Sequence, residues 1–109
     1  FVSQPLRRAL DRLDIPQAVF PVPETVADSL AQVREVARLV GRPERGEALI
    51  RRIEAALAAA EPPAGSPRPS ALIFMPGGFA SGPGTLMDEM MRRAGFDNAA
   101  VRYGLTQSM

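Results

Sequence analysis

Four prolines fall within residues 62–69 (PPAGSPRP), a stretch that forms no regular element and reads as a linker. A linker of this kind signals a domain boundary, yet only about 40 of the chain's 109 residues lie beyond it. Domains of ordinary kind run to ~100–150 residues, so that remainder is too short for an independent second core. Either residues 70–109 pack onto the preceding part, or the chain stops before a second domain is complete.

Upstream of the linker the pattern is helical. Ser3 is placed to cap a short helix with Pro5 in its opening turn and Leu6, Ala9, Leu10 and Leu13 as an apolar stripe. Asp14-Ile15-Pro16 breaks it, and Gln17 to Val22 (QAVFPV) reads as a short strand between loops. Thr25 is the next N-cap, with Asp28 in the capping-box position. Val26, Leu30, Val33, Val36/Ala37 and Val40 then recur at helical spacing, and Gly41 sits where a left-handed C-terminal residue belongs. Pro43 restarts a helix, and Glu44 to Glu61 continues it for ~18 residues, or ~27 Å. Its C-terminal end is alanine-rich, which leaves room for close neighbours. It reads either as the core helix of a small domain or as a spine along the junction of two lobes.

Beyond the linker, Ser70 to Met75 (SALIFM) is an apolar run of strand length, as in a strand covered by helices on both faces. Pro76 to Thr85 (PGGFASGPGT) is a Gly-rich loop. Thr85 and Asp88 repeat the capping spacing, and Leu86, Met87, Met90, Met91 and Ala94 support a helix ended by Gly95. Asp97-Asn98 reads as turn chemistry, with residues 99–109 leading outward. The whole is α/β, with βα units flanking a long helix.

Composition narrows the chemistry. With no Cys, His or Trp, and with arginine as all 13 basic residues, the chain has no thiol or Ser-His-Asp nucleophile and no Schiff-base or P-loop lysine. It also has no zinc site of the usual Cys/His kind. A net charge of +1 gives no reason to expect nucleic acid as a partner. Nor does any apolar run approach the ~18–20 residues of a membrane span.

The loop at 76–85 is the candidate site, because ligands of open α/β sheets gather beyond the C-terminal ends of strands. It fails as a nucleotide motif: Pro83 stands where Walker A needs lysine, and Met87 where a dinucleotide fingerprint needs its third glycine. Phe79 either tucks into the core or lines a pocket with Ser81 supplying a hydroxyl. The methionines at 87, 90 and 91 read as core packing. Asp88 is accounted for by capping and Glu89 by the field at its helix N-terminus, so neither suggests a catalytic pair.

Three stretches in order carry a resemblance: VFPVPETVADSLAQVREVARLVGRPERGEALIRRIEAAL, the strand SALIFM, and GGFASGPGTLMDEMMRRAGFDNAA with its closing AGxxN. Together they resemble the periplasmic solute-binding proteins that serve ABC importers of cobalamin, haem and ferric siderophores. That family joins two α/β lobes by one long rigid helix and holds ligand in the cleft between them. The resemblance implies an internal fragment, with residues 1–22 as the end of the N-terminal lobe and 23–61 as helices including the lobe-spanning Glu44–Glu61. It makes 62–69 the linker and 70–109 the incomplete beginning of the C-terminal lobe. The loop after the Ser70–Met75 strand faces the cleft in this family. Phe79, Ala80, Ser81 and Gly82 are therefore the implied ligand contacts, with Arg102 and Tyr103 behind them.

The resemblance implies a non-enzymatic binding module without a cofactor, located in the periplasm or at the outer side of a membrane. Its ligand is a metal chelate, and an ABC permease is the partner of the full-length parent. The start Phe1-Val2-Ser3-Gln4-Pro5 itself shows no signal-peptide pattern. The alternative is a small α/β enzyme domain that binds a phosphate or metal-bound substrate at the Gly-rich loop through Asp88 or Glu89. A third reading is self-association through exposed apolar helical faces.

Overall fold

Hydroxyl caps start three of the four α-helices among the described residues. The computed structural model describes residues 3–105. Ser3 Oγ accepts from the Leu6 N–H at 3.4 Å to open α1 (Gln4–Arg12). Thr25 Oγ1 accepts from the Asp28 N–H at 3.0 Å to open α2 (Val26–Leu39). Thr85 Oγ1 does the same for the Asp88 N–H at 3.1 Å at the head of α4 (Leu86–Arg93). The long α3 (Pro43–Ala59) instead begins on proline, two residues after the left-handed Gly41 (φ 74°).

The helices α2 and α3 form a hairpin. Gly46 is buried against Ala37, closely enough that a Cβ at position 46 would overlap the Ala37 Cβ. Arg34 Nε donates to Glu47 Oε1 at 2.6 Å across the same seam. The close approach therefore lies near the start of α3. Its alanine-rich end has Ala55, Ala56, Ala58 and Ala59 exposed.

The strands differ from the expected ones. Residues 17–22 form no strand, because Pro16, Pro21 and Pro23 remove backbone donors and no partner strand lies alongside among the described residues. The SALIFM run divides into β1 (Ser70–Ala71) and β2 (Phe74–Met75). The first pairs in parallel with β4 (Asp97–Asn98), Ser70 opposite Asp97 and Ala71 opposite Asn98. The second pairs antiparallel with β3 (Phe79–Ala80), Phe74 opposite Ala80 and Met75 opposite Phe79. Leu72 and Phe74 are exposed, so helices do not cover both faces of this run among the described residues. Asp97-Asn98, expected as a turn, is a strand. Asn98 then caps a 3-10 helix (Ala99–Tyr103) that ends on the left-handed Gly104 (φ 69°). Phe1 and Val2 of the expected N-terminal segment, and residues 106–109 of the expected tail, lie outside the described residues.

Little is buried. Among the described residues the apolar core consists of Val26, Ala37, Ile50, Ala80, Met91 and Ala100, and α1 buries nothing. The radius of gyration is 17.9 Å, where a compact chain of this length has about 13 Å. Accessible surface is 8100 Å², against about 5,900 Å² for a compact protein of this mass. These elements do not close around one core as a finished small domain would.

Candidate ligand-binding site

The Gly-rich loop is a hairpin followed by a helix cap. Gly77 (φ 91°) and Gly78 (φ 85°) turn the chain from β2 to β3 in a backbone conformation that disfavours side chains. Ser81 N–H then donates to the Ile73 carbonyl at 3.3 Å. Thr85 Oγ1 donates to the Gly82 carbonyl at 2.9 Å while accepting from Asp88 N–H, so one hydroxyl ties the loop's end to the first turn of α4.

The structure separates the expected contact residues into two groups. Phe79 is 49 % exposed, and its ring lies over Gly77, where an added Cβ would meet ring atom Cε2 at 3.2 Å. Phe79 does not tuck into the core. Ala80, Ser81 and Gly82, which follow it in the chain, are buried. On the 3-10 helix, Tyr103 is 70 % exposed and Arg102 reaches back to Ser70 Oγ at 3.4 Å. Arg102 lines an open groove of about 630 Å³ with Ser70, Gly84, Asp88 and Asn98.

A larger groove, about 770 Å³, runs between α2, the C-terminal half of α3, the linker and α4. Phe79 and Tyr103 border neither groove. The linker is held along the larger one. Arg68 donates to Asp97 Oδ1 at 3.2 Å and to the carbonyls of Arg92 and Phe96, each at 3.1 Å, tying the linker to the last turn of α4 and the residues after it. Pro62 packs so closely on Gly95 that an added Cβ there would lie 2.9 Å from its Cγ.

Two acidic residues do more than their sequence context suggests. Asp88 is buried, with Oδ1 accepting from Asn98 Nδ2 at 3.0 Å and Oδ2 from Arg92 Nε at 3.2 Å. Glu89 accepts from Arg93 Nε at 2.8 Å and, across the fold, from the Val26 N–H at 3.2 Å. It thereby supplies a partner to an orphan donor at the start of α2. The Arg93 hydrogen bond, with the Val26 N–H behind it, holds the Glu89 carboxyl below its usual range. Among the described residues, no group of three or more His, Cys, Asp or Glu side chains is placed to hold a metal ion.

Residues 7–109 match the periplasmic binding protein family. The chain belongs to that family. No curated protein matches the sequence. Among solved structures, the apo form of the periplasmic haem-binding protein RhuT from Roseiflexus sp. RS-1 shares 25 % identity with a TM-score of 0.81, covering 99 % of this chain. A possible iron-binding, periplasmic solute-binding protein from Staphylococcus epidermidis has a TM-score of 0.76 over 96 % of the chain at 9 % identity, which supports the fold alone. This periplasmic binding protein chain spans 43 % and 42 % of those two proteins. Its α/β elements match that portion of a two-lobed solute-binding fold, and no described helix is long and apolar enough to cross a membrane.

Proposed function

We propose that this chain is part of the substrate-binding component of an ABC importer for a metal chelate: haem, a ferric siderophore or cobalamin. The carrying observation is the likeness to a haem-binding periplasmic protein across 99 % of the chain. In this reading the protein binds and delivers without catalysing, outside the cytoplasmic membrane, and hands its ligand to a permease. Residues 1–22 end the N-terminal lobe, 23–61 supply the helices including the lobe-spanning α3, and 62–69 link to the C-terminal lobe at 70–109. The small core and the excess surface support an arrangement in which further chain covers both parts. Nothing favours the enzymatic alternative, since Asp88 and Glu89 are both engaged in structural bonds.

Within this reading, Phe79, Arg102 and Tyr103 present side chains to the ligand. Ala80, Ser81 and Gly82 act by setting where Phe79 stands. The test is titration of the full-length protein with haemin, cobalamin and ferric siderophores by calorimetry and absorbance. Saturable binding of one of them, weakened about tenfold by Phe79→Ala, is expected, since an aromatic contact contributes ~1 kcal/mol beyond its area. Binding of none of the three would overturn the import reading.

A further inference from the structure

The hairpin that carries Phe79 has strands of two residues each and, among the described residues, pairs only with itself. Two-stranded hairpins of this kind are marginal on their own. Something beyond the β2–β3 ladder must hold it in place, and a buried contact that links Ser81 at its exit to Asp88 and Asn98 does so. Ser81 is 1 % exposed, Asp88 3 % and Asn98 8 %. The Asn98 amide uses both its donor and acceptor sides. Nδ2 donates to the Ser81 carbonyl at 2.9 Å and to Asp88 Oδ1 at 3.0 Å, while Oδ1 accepts from Ala100 N–H at 3.0 Å. One side chain therefore joins the exit of β3, the first turn of α4 and the start of the 3-10 helix.

The arrangement does more than fill space. Burying a carboxylate and an amide is costly, and such groups become favourable only when every polar atom is satisfied. Here they are satisfied: no buried side-chain nitrogen or oxygen among the described residues lacks a partner. What a directional network supplies that an apolar filling would not is a fixed position for one backbone carbonyl. With the Ser81 carbonyl pinned and Ala80 buried, Phe79 is left on the outward side of the strand.

We infer that Asn98 and Asp88 form a latch that locks the 76–82 hairpin, making them positioning residues for the ligand contact at Phe79. The latch itself stands on the hydrogen-bond geometry; its role in ligand binding rests on the proposed import function. The experiment compares Asn98→Asp and Asp88→Asn in the full-length protein, reading amide hydrogen exchange and haemin dissociation. Asn98→Asp removes both donors and sets two carboxylates face to face. It should speed exchange at Ser81 and Gly82 by about tenfold or more relative to amides in α3, and speed haemin release with it. Asp88→Asn keeps an acceptor for Asn98 and should leave loop exchange within about threefold of wild type. Should the carboxylate prevent folding, Asn98→Ser replaces it and is read the same way.

Unchanged Ser81 protection in the Asn98 variant would overturn the latch. A parallel rise in α3 exchange would also overturn it, by reducing the network to general stability. If the loop loosens but haemin release is unaltered, positioning is refuted and only the latch remains. If the wild-type protein does not bind haemin, cobalamin or a ferric siderophore, it is the proposed function that fails. The exchange comparison then decides the latch alone.

Discussion

Replacing Gly46 with alanine sets two rules against each other. Alanine is the better helix former by ~1 kcal/mol, so propensity alone predicts a more stable protein. Packing predicts the reverse. A Cβ at position 46 would stand closer than 3.0 Å to the Ala37 Cβ, where carbon atoms settle at ~3.5–4.0 Å. Both atoms are fixed directly to helix backbone, so no side-chain rotation relieves the overlap, and α2 and α3 must separate by about 1 Å. Overpacking on this scale costs ~1–3 kcal/mol, and the absence of a flexible side chain places Gly46→Ala near the top of that range. Subtracting the propensity gain leaves a net loss of ~2 kcal/mol. Denaturation followed by circular dichroism at 222 nm would measure it. The double variant Ala37→Gly/Gly46→Ala, which moves the methyl group from one helix to the other, should recover more than half the packing loss. A stabilised Gly46→Ala single variant would refute the reasoning, because it would mean that the hairpin can open at no cost.

Thr85→Ala removes both the α4 cap and the tie to the Gly82 carbonyl, and should lower stability by ~1–2 kcal/mol in denaturant titration. Thr25→Ala, which loses only a cap, should cost less. Glu89 supplies a pH test. Its carboxyl titrates below the usual range in the folded state, so its contribution is present above the ordinary carboxyl pKa of ~4.3 and is lost as pH falls through the lower folded value. The wild type should therefore lose more melting temperature than Glu89→Gln between pH 6 and pH 3, and parallel curves would count against the hydrogen bonds of the Glu89 carboxylate to Arg93 and, behind it, to the Val26 N–H.

Helix starts and stops were legible because their chemistry is local. Ser3, Thr25 and Thr85 bond to an N–H three residues on, and Gly41 and Gly95 adopt the left-handed conformation their positions suggest. Strands were legible only in part. SALIFM has strand composition, but its division between two partners depends on Asp97-Asn98, far along the chain, as well as on the nearby Phe79-Ala80. Asn98 was the least legible residue of the candidate site. Next to Asp97 it has turn composition, and only the fold brings Ser81, 17 positions earlier, to its amide. Glu89 was explained by its own helix, although its partner N–H lies 63 residues before it. The burial of Ala80, Ser81 and Gly82 after an exposed Phe79 likewise depends on what packs against the hairpin.

The bonds between elements also imply an order of assembly. Arg34 and Glu47, which join α2 to α3, are 13 residues apart, Arg68 and Asp97 are 29 apart, and Val26 and Glu89 are 63 apart. Loop-closure entropy makes the longest span about 1.4 kcal/mol harder to close than the shortest, before any other contact forms. The α2–α3 hairpin and the β1–α4–β4 unit can thus each form within their own stretch of chain. The hydrogen bond from Val26 to Glu89 then marks where the two meet, and on this entropy it is expected to be the last of these contacts to gain its partner as the chain folds.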